Sequence, residues 1–176
     1  MRIIEDIKLD FSDVLIVPKT STLTSRSEVS VERTFKLIHA DWDWTGVPIV
    51  AANMDTVGTI EMADALSKLD MCTALHKHYT VEELNSYLFL EHENKNRNVF
   101  YSMGITDKDF EKLYQYTFKG SVPSMICLDV ANGYTMAFLD AIKKLREYAP
   151  GTFIMAGNVV TAEKAEQVIL AGADMV

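Results

Sequence analysis

From residue 47 onward, apolar runs of strand length alternate with stretches in which apolar residues recur every three or four positions. The runs at 47–53, 72–77, 98–104, 124–129 and 152–158 read as buried strands, and a sixth opens at Ala173. Their starts recur at roughly 25-residue intervals, the spacing of a strand, a helix and two short loops. Thr80-Val81-Glu82-Glu83 has the form of a capping box, followed by a stripe of Leu84, Tyr87 and Leu88. Thr106 and Thr161 stand where N-caps belong, and Phe110, Leu113 and Tyr114 supply the inner face of the helix after Thr106. Phe138, Ile142 and Leu145 do the same for a helix over 134–148. Gly151 and Gly172 fall where left-handed helix caps are wanted.

Strands alternating with helices predict parallel βαβ units. An open doubly wound sheet and a closed (β/α)8 barrel compete. No G-x-G-x-x-G follows the first strand, which weighs against a dinucleotide-binding open sheet. The even repeat and the polar residue at nearly every strand end favour the barrel. The predicted fold is therefore an α/β, (β/α)8 TIM barrel of which about five and a half units are present, since eight units take ~250 residues. The expectation is the N-terminal part of a longer polypeptide, with a leader over 1–46 packed on the barrel and the first part of the barrel over 47–176. In the leader, Val29, Val31, Phe35 and Leu37 alternate as in a strand with one buried face, and Asp41-Trp42-Asp43-Trp44-Thr45-Gly46 reads as a turn.

Composition narrows the function. A net charge of −8 argues against binding a phosphate backbone. Cys72 and Cys127 lie inside apolar runs, the place for reduced core thiols rather than a disulfide framework. The acidic N-terminus lacks the apolar segment of a signal peptide, and no stretch approaches membrane-spanning length. A soluble, cytoplasmic protein is expected.

The strand ends carry the candidate chemistry: Asn53 and Asp55, His76-Lys77-His78, Ser102, Asp129 with Asn132, and Asn158. In a barrel these converge on one rim. Lys77 and Asp129, from different strands, could form a proton-transfer pair; a solvated lysine and a helix-capping aspartate are the plain alternatives. Cys127 shares the parity of Asp129 but lies deeper, as a core thiol. His76-Lys77-His78 could also open a metal-dependent hydrolase site, but the other histidines, His39 and His92, are not at strand ends, so no metal is expected.

Four segments together resemble the IMP dehydrogenase/GMP reductase family: Ala51-Ala52-Asn53-Met54-Asp55-Thr56-Val57, His76-Lys77-His78-Tyr79, Cys127-Leu128-Asp129-Val130-Ala131-Asn132-Gly133 and Ala156-Gly157-Asn158-Val159-Val160-Thr161. The reductase branch is the better match, because Tyr79 runs straight into the next helix where the dehydrogenases insert regulatory modules. The leader from Lys8-Leu9-Asp10-Phe11 to Ser25-Arg26-Ser27 is similar to that of the reductases as well. The resemblance implies NADPH-dependent reductive deamination of GMP to IMP and ammonia in purine salvage, by tetrameric enzymes. In the family a cysteine attacks C2 of the purine, ammonia leaves, and hydride from NADPH resolves the covalent thioimidate. It assigns Lys77 and Asp129 to catalysis and cofactor contact, Val130 and Ala131 to the same cofactor strip, and Ser25 and Arg26 to NADPH, where an arginine suits the extra phosphate. Met54 and Asn158 would lie near the base or the nicotinamide. The family's nucleophilic cysteine, its partner threonine and the potassium-binding loop follow the sixth strand, beyond Val176. The chain alone is therefore expected to be inactive. Rival expectations are a non-catalytic short product that associates with full-length subunits, and the dehydrogenase branch, which makes XMP from IMP.

Overall fold

The computed structural model describes residues 3, 5, 7, 9–90, 97–118 and 122–176. Lys8, His92 and the side chain of Leu88 lie outside the described residues. The chain divides into two compact units, Met1–Ser30 and Val31–Val176. The first holds two 3-10 turns, Phe11–Asp13 and Arg26–Glu28, the second capped by Ser25.

The second unit opens with an antiparallel hairpin, β1 (Arg33–Lys36) and β2 (Asp43–Gly46). Here the structure corrects the sequence reading twice. Of the expected strand through Val29, Val31, Phe35 and Leu37 only Arg33–Lys36 is strand, exposed throughout, and of those four apolar residues only Leu37, just past its end, is buried. Of the segment read as a turn, Asp41 and Trp42 do bend the chain, but Asp43–Gly46 is a strand, whose Trp44 is buried. Its polar–aromatic alternation has period two, so one edge of the hairpin carries the indoles.

A single parallel sheet follows in the order β3 (Val50–Ala51), β4 (Cys72–Ala74), β5 (Val99–Met103), β6 (Met125–Asp129), β7 (Phe153–Gly157). Between them run α1 (Ile60–Ser67), α2 (Val81–Leu90), α3 (Asp107–Phe118) and α4 (Met136–Tyr148), and α5 (Ala162–Leu170) follows β7. Met155 bridges in parallel to Met175, where the next strand begins. This is a curled parallel half-barrel, the first part of the predicted (β/α)8 architecture.

Period two divides the strands between two cores. Tyr101, Met103, Ile126, Leu128, Ile154 and Ala156 face the helices, packing with Phe110, Leu113, Phe138, Ile142 and Leu145. Cys72, Ala74, Phe100, Met125, Cys127 and Phe153 face the concave side, with Leu37, Ala40 and Trp44 of the hairpin region. Each of the five described helices starts at a threonine. Thr59, Thr135 and Thr161 accept from the amides of Met62, Phe138 and Lys164. Thr80 with Glu83 and Thr106 with Asp109 form two-way capping boxes.

Two details differ from expectation. Tyr116, 2% exposed, takes the inner position given to Tyr114, which is 37% exposed and packs edge-on against Tyr148. Gly172 has the expected positive φ of 121°, but Gly151 does not. After α4 the carbonyls of Pro150 and Thr152 are met instead by the guanidinium of Arg146, both at 2.8 Å.

The amino end of the sheet is closed by the hairpin. Trp44 Nε1 donates to Arg97 O, and Trp42 Nε1 donates to Gly151 O, each at 2.9 Å. The amides of His39 and Ala40 donate to the Asp174 carboxylate at 2.8 and 3.3 Å. A cavity of about 230 Å³ lies beneath, lined by Phe35, Leu37, Trp44, Phe100 and Phe153 among others. It is apolar and far from the strand-end residues.

Candidate active site

Because β3 to β7 are parallel, their carboxyl ends share one rim. Asp129 closes β6 and is exposed, while Leu128 before it is fully buried. Lys77 follows β4 by three residues and is exposed. The register pairs Ala74 with Phe100, Ser102 with Cys127 and Asp129 with Gly157. The ladder to β5 ends with the Leu75 amide on Phe100 O, and Lys77 follows in a turn. One strand, β5, stands between β4 and β6, so the two strands are about 10 Å apart, two strand spacings. The long lysine side chain and the short carboxylate can address a common ligand across that gap.

The loops are tied to one another. The Val130 amide donates to Gly157 O and the Asn158 amide to Val130 O, both at 2.9 Å, and the Gly133 amide donates to Asn158 O at 3.0 Å. Asn158 and Val130 therefore meet directly. Ala131 is exposed beside them, and the Gly157–Asn158 peptide is cis. A Cβ on Gly133 would stand 2.6 Å from Asn158 O and 2.7 Å from Val159 Cγ1, so only glycine allows this approach. Tyr134 closes the arrangement, its hydroxyl donating to Thr161 Oγ1 and accepting from the Val160 amide, each at 3.1 Å. The bond to Thr161 lowers the Tyr134 pKa.

On the β4 side, the His76 amide donates to Gly58 O at 2.8 Å, and the His76 ring stacks on Tyr79 at 4.1 Å. The Ile60 amide donates to Tyr79 Oη at 3.0 Å. Met54 sits on the loop after β3, its side chain exposed and its carbonyl accepting from the Val57 and Gly58 amides. Ser25 and Arg26 belong to the first unit, where Ser25 Oγ is bonded to Ser27.

Four of the strand-end polar side chains are already committed. Asp55 pairs with His78 at 3.3 Å, His76 Nδ1 accepts from the His78 amide, and Asn132 Oδ1 accepts from the Tyr134 amide. Ser102 is corrected from rim to interior: it is 3% exposed, level with Cys127. Lys77 and Asp129 are different. Among the described residues, neither side chain has an ion-pair or hydrogen-bond partner. The two cysteines are free and buried, and burial pushes both thiols up to about 12. For Cys127 the Asp129 charge adds to the rise and the Ser102 hydroxyl opposes it. Neither is a ready nucleophile at neutral pH. Among the described residues, no group of three or more His, Cys, Asp or Glu could hold a metal ion.

The sequence matches the IMP dehydrogenase/GMP reductase domain over residues 8–176. The chain belongs to the IMP dehydrogenase/GMP reductase family. It is 52% identical to a GMP reductase of Citrobacter koseri and 51% identical to one of Yersinia enterocolitica, each over all of this chain and 51% of the relative. The chain thus spans about half the length of these curated relatives. A solved structure of inosine 5'-monophosphate dehydrogenase from Legionella pneumophila is similar with a TM-score of 0.74 at 30% identity. The similarity covers 93% of this chain and 48% of that one. Family membership agrees with the half-barrel and with the motifs at the strand ends. The rim's supports, Tyr79, Tyr134 and Lys112, whose Nζ donates to Lys77 O at 2.9 Å, were not singled out from the sequence. Tyr79 lay within a recognised motif, whereas Lys112 is an ordinary helix lysine with no local signal.

Proposed function

We propose that the protein takes part in the NADPH-dependent reductive deamination of GMP to IMP and ammonia. The observation that carries this reading is the pair Lys77 and Asp129, a cation and a carboxylate with no ion-pair or hydrogen-bond partner among the described residues, on the rim where Asp55, His76, His78 and Asn132 each have one. Paired opposite charges this close to each other's reach, left unneutralised, suit a polar ligand lying between them. Family membership and the GMP reductases that match over the whole chain make a purine nucleotide the substrate class.

NADPH fits the residues present in one respect: Arg26 in the first unit and Lys77 in the second each carry a positive charge that no described residue neutralises at ion-pair distance, which suits an anionic cofactor. Arg26 would hold the extra phosphate, with Ser25 beside it, and Asp129, Val130 and Ala131 would form the strip under the nicotinamide end. When bound, the cofactor supplies the hydride. Lys77 and Asp129 act at the purine amino group, holding it and passing the proton without which an amine is a poor leaving group. Asn158, tied to Val130, and Met54 lie near the base.

Neither Cys72 nor Cys127 can provide the attacking thiolate, so residues 1–176 alone are inactive in this reading and the nucleophile comes from outside them. The test is GMP-dependent oxidation of NADPH, followed by absorbance with IMP and ammonia identified as products. NAD-dependent formation of XMP from IMP would overturn the reductase reading in favour of the dehydrogenase branch. Turnover by purified residues 1–176 would overturn the inactivity of this half.

A further inference from the structure

Lys112 lies in the second turn of α3, and its ammonium leaves the helix to hold the turn after β4. Nζ donates to Lys77 O at 2.9 Å and to Tyr79 O over a short contact. The first is the sole hydrogen bond to the Lys77 main chain among the described residues. On either side of Lys77 the turn is pinned by other means, through the His76 amide on Gly58 O and the Tyr79 hydroxyl under the Ile60 amide.

The location is unusual for a lysine. Burial lowers its pKa, with the charges of Asp109 and Glu83 acting the other way. Those carboxylates are themselves occupied as helix caps, accepting from the amides of Thr106 and Thr80. The half-buried ammonium gives up part of its water and bonds the two carbonyls that flank His78, a desolvation that a fully exposed lysine would not incur. A cation so placed also sits near the amino ends of α2 and α3, where the helix dipoles disfavour it. Such a costly placement calls for a return in the geometry it fixes.

We infer that Lys112 is a positioning residue for Lys77, holding the backbone of the β4–α2 turn so that the Lys77 ammonium is delivered to the rim opposite Asp129. This rests on the proposed role of Lys77. The test places Lys112→Met and Lys112→Arg, alone and combined with Lys77→Met, in the protein as the cell makes it. Turnover of GMP with NADPH is measured alongside amide hydrogen exchange over residues 77–80. Lys112→Met is expected to lower kcat/KM roughly 10- to 100-fold, the scale of a small misplacement at a reacting centre. Lys112→Arg, which keeps a donor for both carbonyls, recovers most of it. In the Lys77→Met background Lys112→Met adds less than about a twofold loss, because groups acting as a unit are non-additive. Exchange at 77–80 speeds up in Lys112→Met, whether or not turnover is measured.

A full multiplicative loss in the double variant overturns the inference, and so does unchanged exchange at 77–80. If Lys77→Met alone leaves turnover intact, the role given to Lys77 falls and this inference falls with it. Impaired Lys77→Met with an additive Lys112→Met refutes the inference alone.

Discussion

Asp174 tests how the half-barrel is closed at its amino end. Its carboxylate is wholly buried, and Arg146, 15% exposed, meets it at 2.7 Å. Oδ1 accepts from the amides of His39 and Ala40, and Oδ2 from the amide of Ile154 at 3.1 Å as well as from Arg146. Four donors from three parts of the chain thus converge on one side chain. Asp174→Asn keeps one oxygen but turns an NH2 toward donors, leaving at least one amide and the guanidinium short of an acceptor. Removing one member of a buried pair costs about 3–5 kcal/mol. Arg146 keeps the carbonyls of Gly172, Pro150 and Thr152, so the lower end applies, about 3 kcal/mol. At about 2–4 °C per kcal/mol for a chain of this size, the melting temperature should fall by about 6–12 °C.

The control is Asp55→Asn, which breaks the exposed pair with His78. Side chains 60% and 75% exposed place that pair among contacts worth about 0–1 kcal/mol. Circular dichroism melts and urea titrations of both variants decide the matter. Amide exchange over the hairpin should rise in Asp174→Asn only. A melting shift for Asp174→Asn no larger than that of Asp55→Asn would show that the hairpin is held by its indoles and not by this carboxylate.

Other outcomes follow from the rim and the core. Gly133→Ala forces its new methyl against Asn158 O and should lower both stability and turnover, whereas Gly157→Ala, with nothing within 4 Å of the added atom, should leave the melting temperature nearly unchanged. Asp129→Asn and Lys77→Met should each reduce GMP turnover roughly 100-fold or more while shifting the melting temperature little, since both side chains are exposed and unpartnered. The raised thiol pKa values set an alkaline limit. The fold keeps Cys72 and Cys127 protonated up to about 12, but the unfolded chain ionises them near the ordinary value of about 8.5. The folded state then binds more protons, so stability is intact below that ordinary value and falls as pH rises toward 12, by about 1.4 kcal/mol per pH unit per thiol. Urea unfolding between about pH 8 and 9.5, where free tyrosine is still mostly protonated, should show this slope developing, and a Cys72→Ala, Cys127→Ala double variant should lack most of it, the buried Tyr101 and Tyr116 adding a like slope only at higher pH.

Strand and helix order, the threonine caps at Thr80, Thr106 and Thr161, and the carboxyl-end address of every candidate residue but Ser102 could be read from the sequence. Each rests on local chemistry: Thr80 and Glu83 are three residues apart, and a strand ends where a carboxylate interrupts Ile126-Cys127-Leu128. The second strand of the hairpin was obscured because Asp41 and Asp43 signal turns. What decided its conformation was remote, the carbonyls of Arg97 and Gly151 waiting for the two indoles. Tyr116 replaced Tyr114 for a similar reason, since Tyr101 across the core offers a ring to stack on at 5.8 Å. Gly151 lost its expected role to Arg146, whose bonding follows from where Asp174 lies 28 residues on. Ser102 looked like a rim residue because it is the last polar side chain of its run, but the strand continues through Met103 and sets it level with Cys127. Tertiary partners decided each of these cases, and no window of local sequence contains them.

The two ends of the sheet differ in a way that supports the proposed place of the chemistry without appeal to relatives. At the amino end, exposed backbone and buried charge are answered from within the chain, by two indoles, a carboxylate and a guanidinium, and the space left over is apolar. At the carboxyl end the loops are equally well tied: Gly133 to Asn158, Asn158 to Val130, His76 to Gly58, Lys112 to the turn at 77–79. Yet the two ionic side chains these ties hold in place are themselves bonded to nothing among the described residues. Rigid backbone around unsatisfied charge is what preorganisation requires, because a ligand then meets its partners without the chain having to order itself. Were stability the only demand, a salt bridge between loops would serve at least as well, as His78 and Asp55 illustrate a few residues away. The free pair is thus better explained by something that binds between them than by the fold.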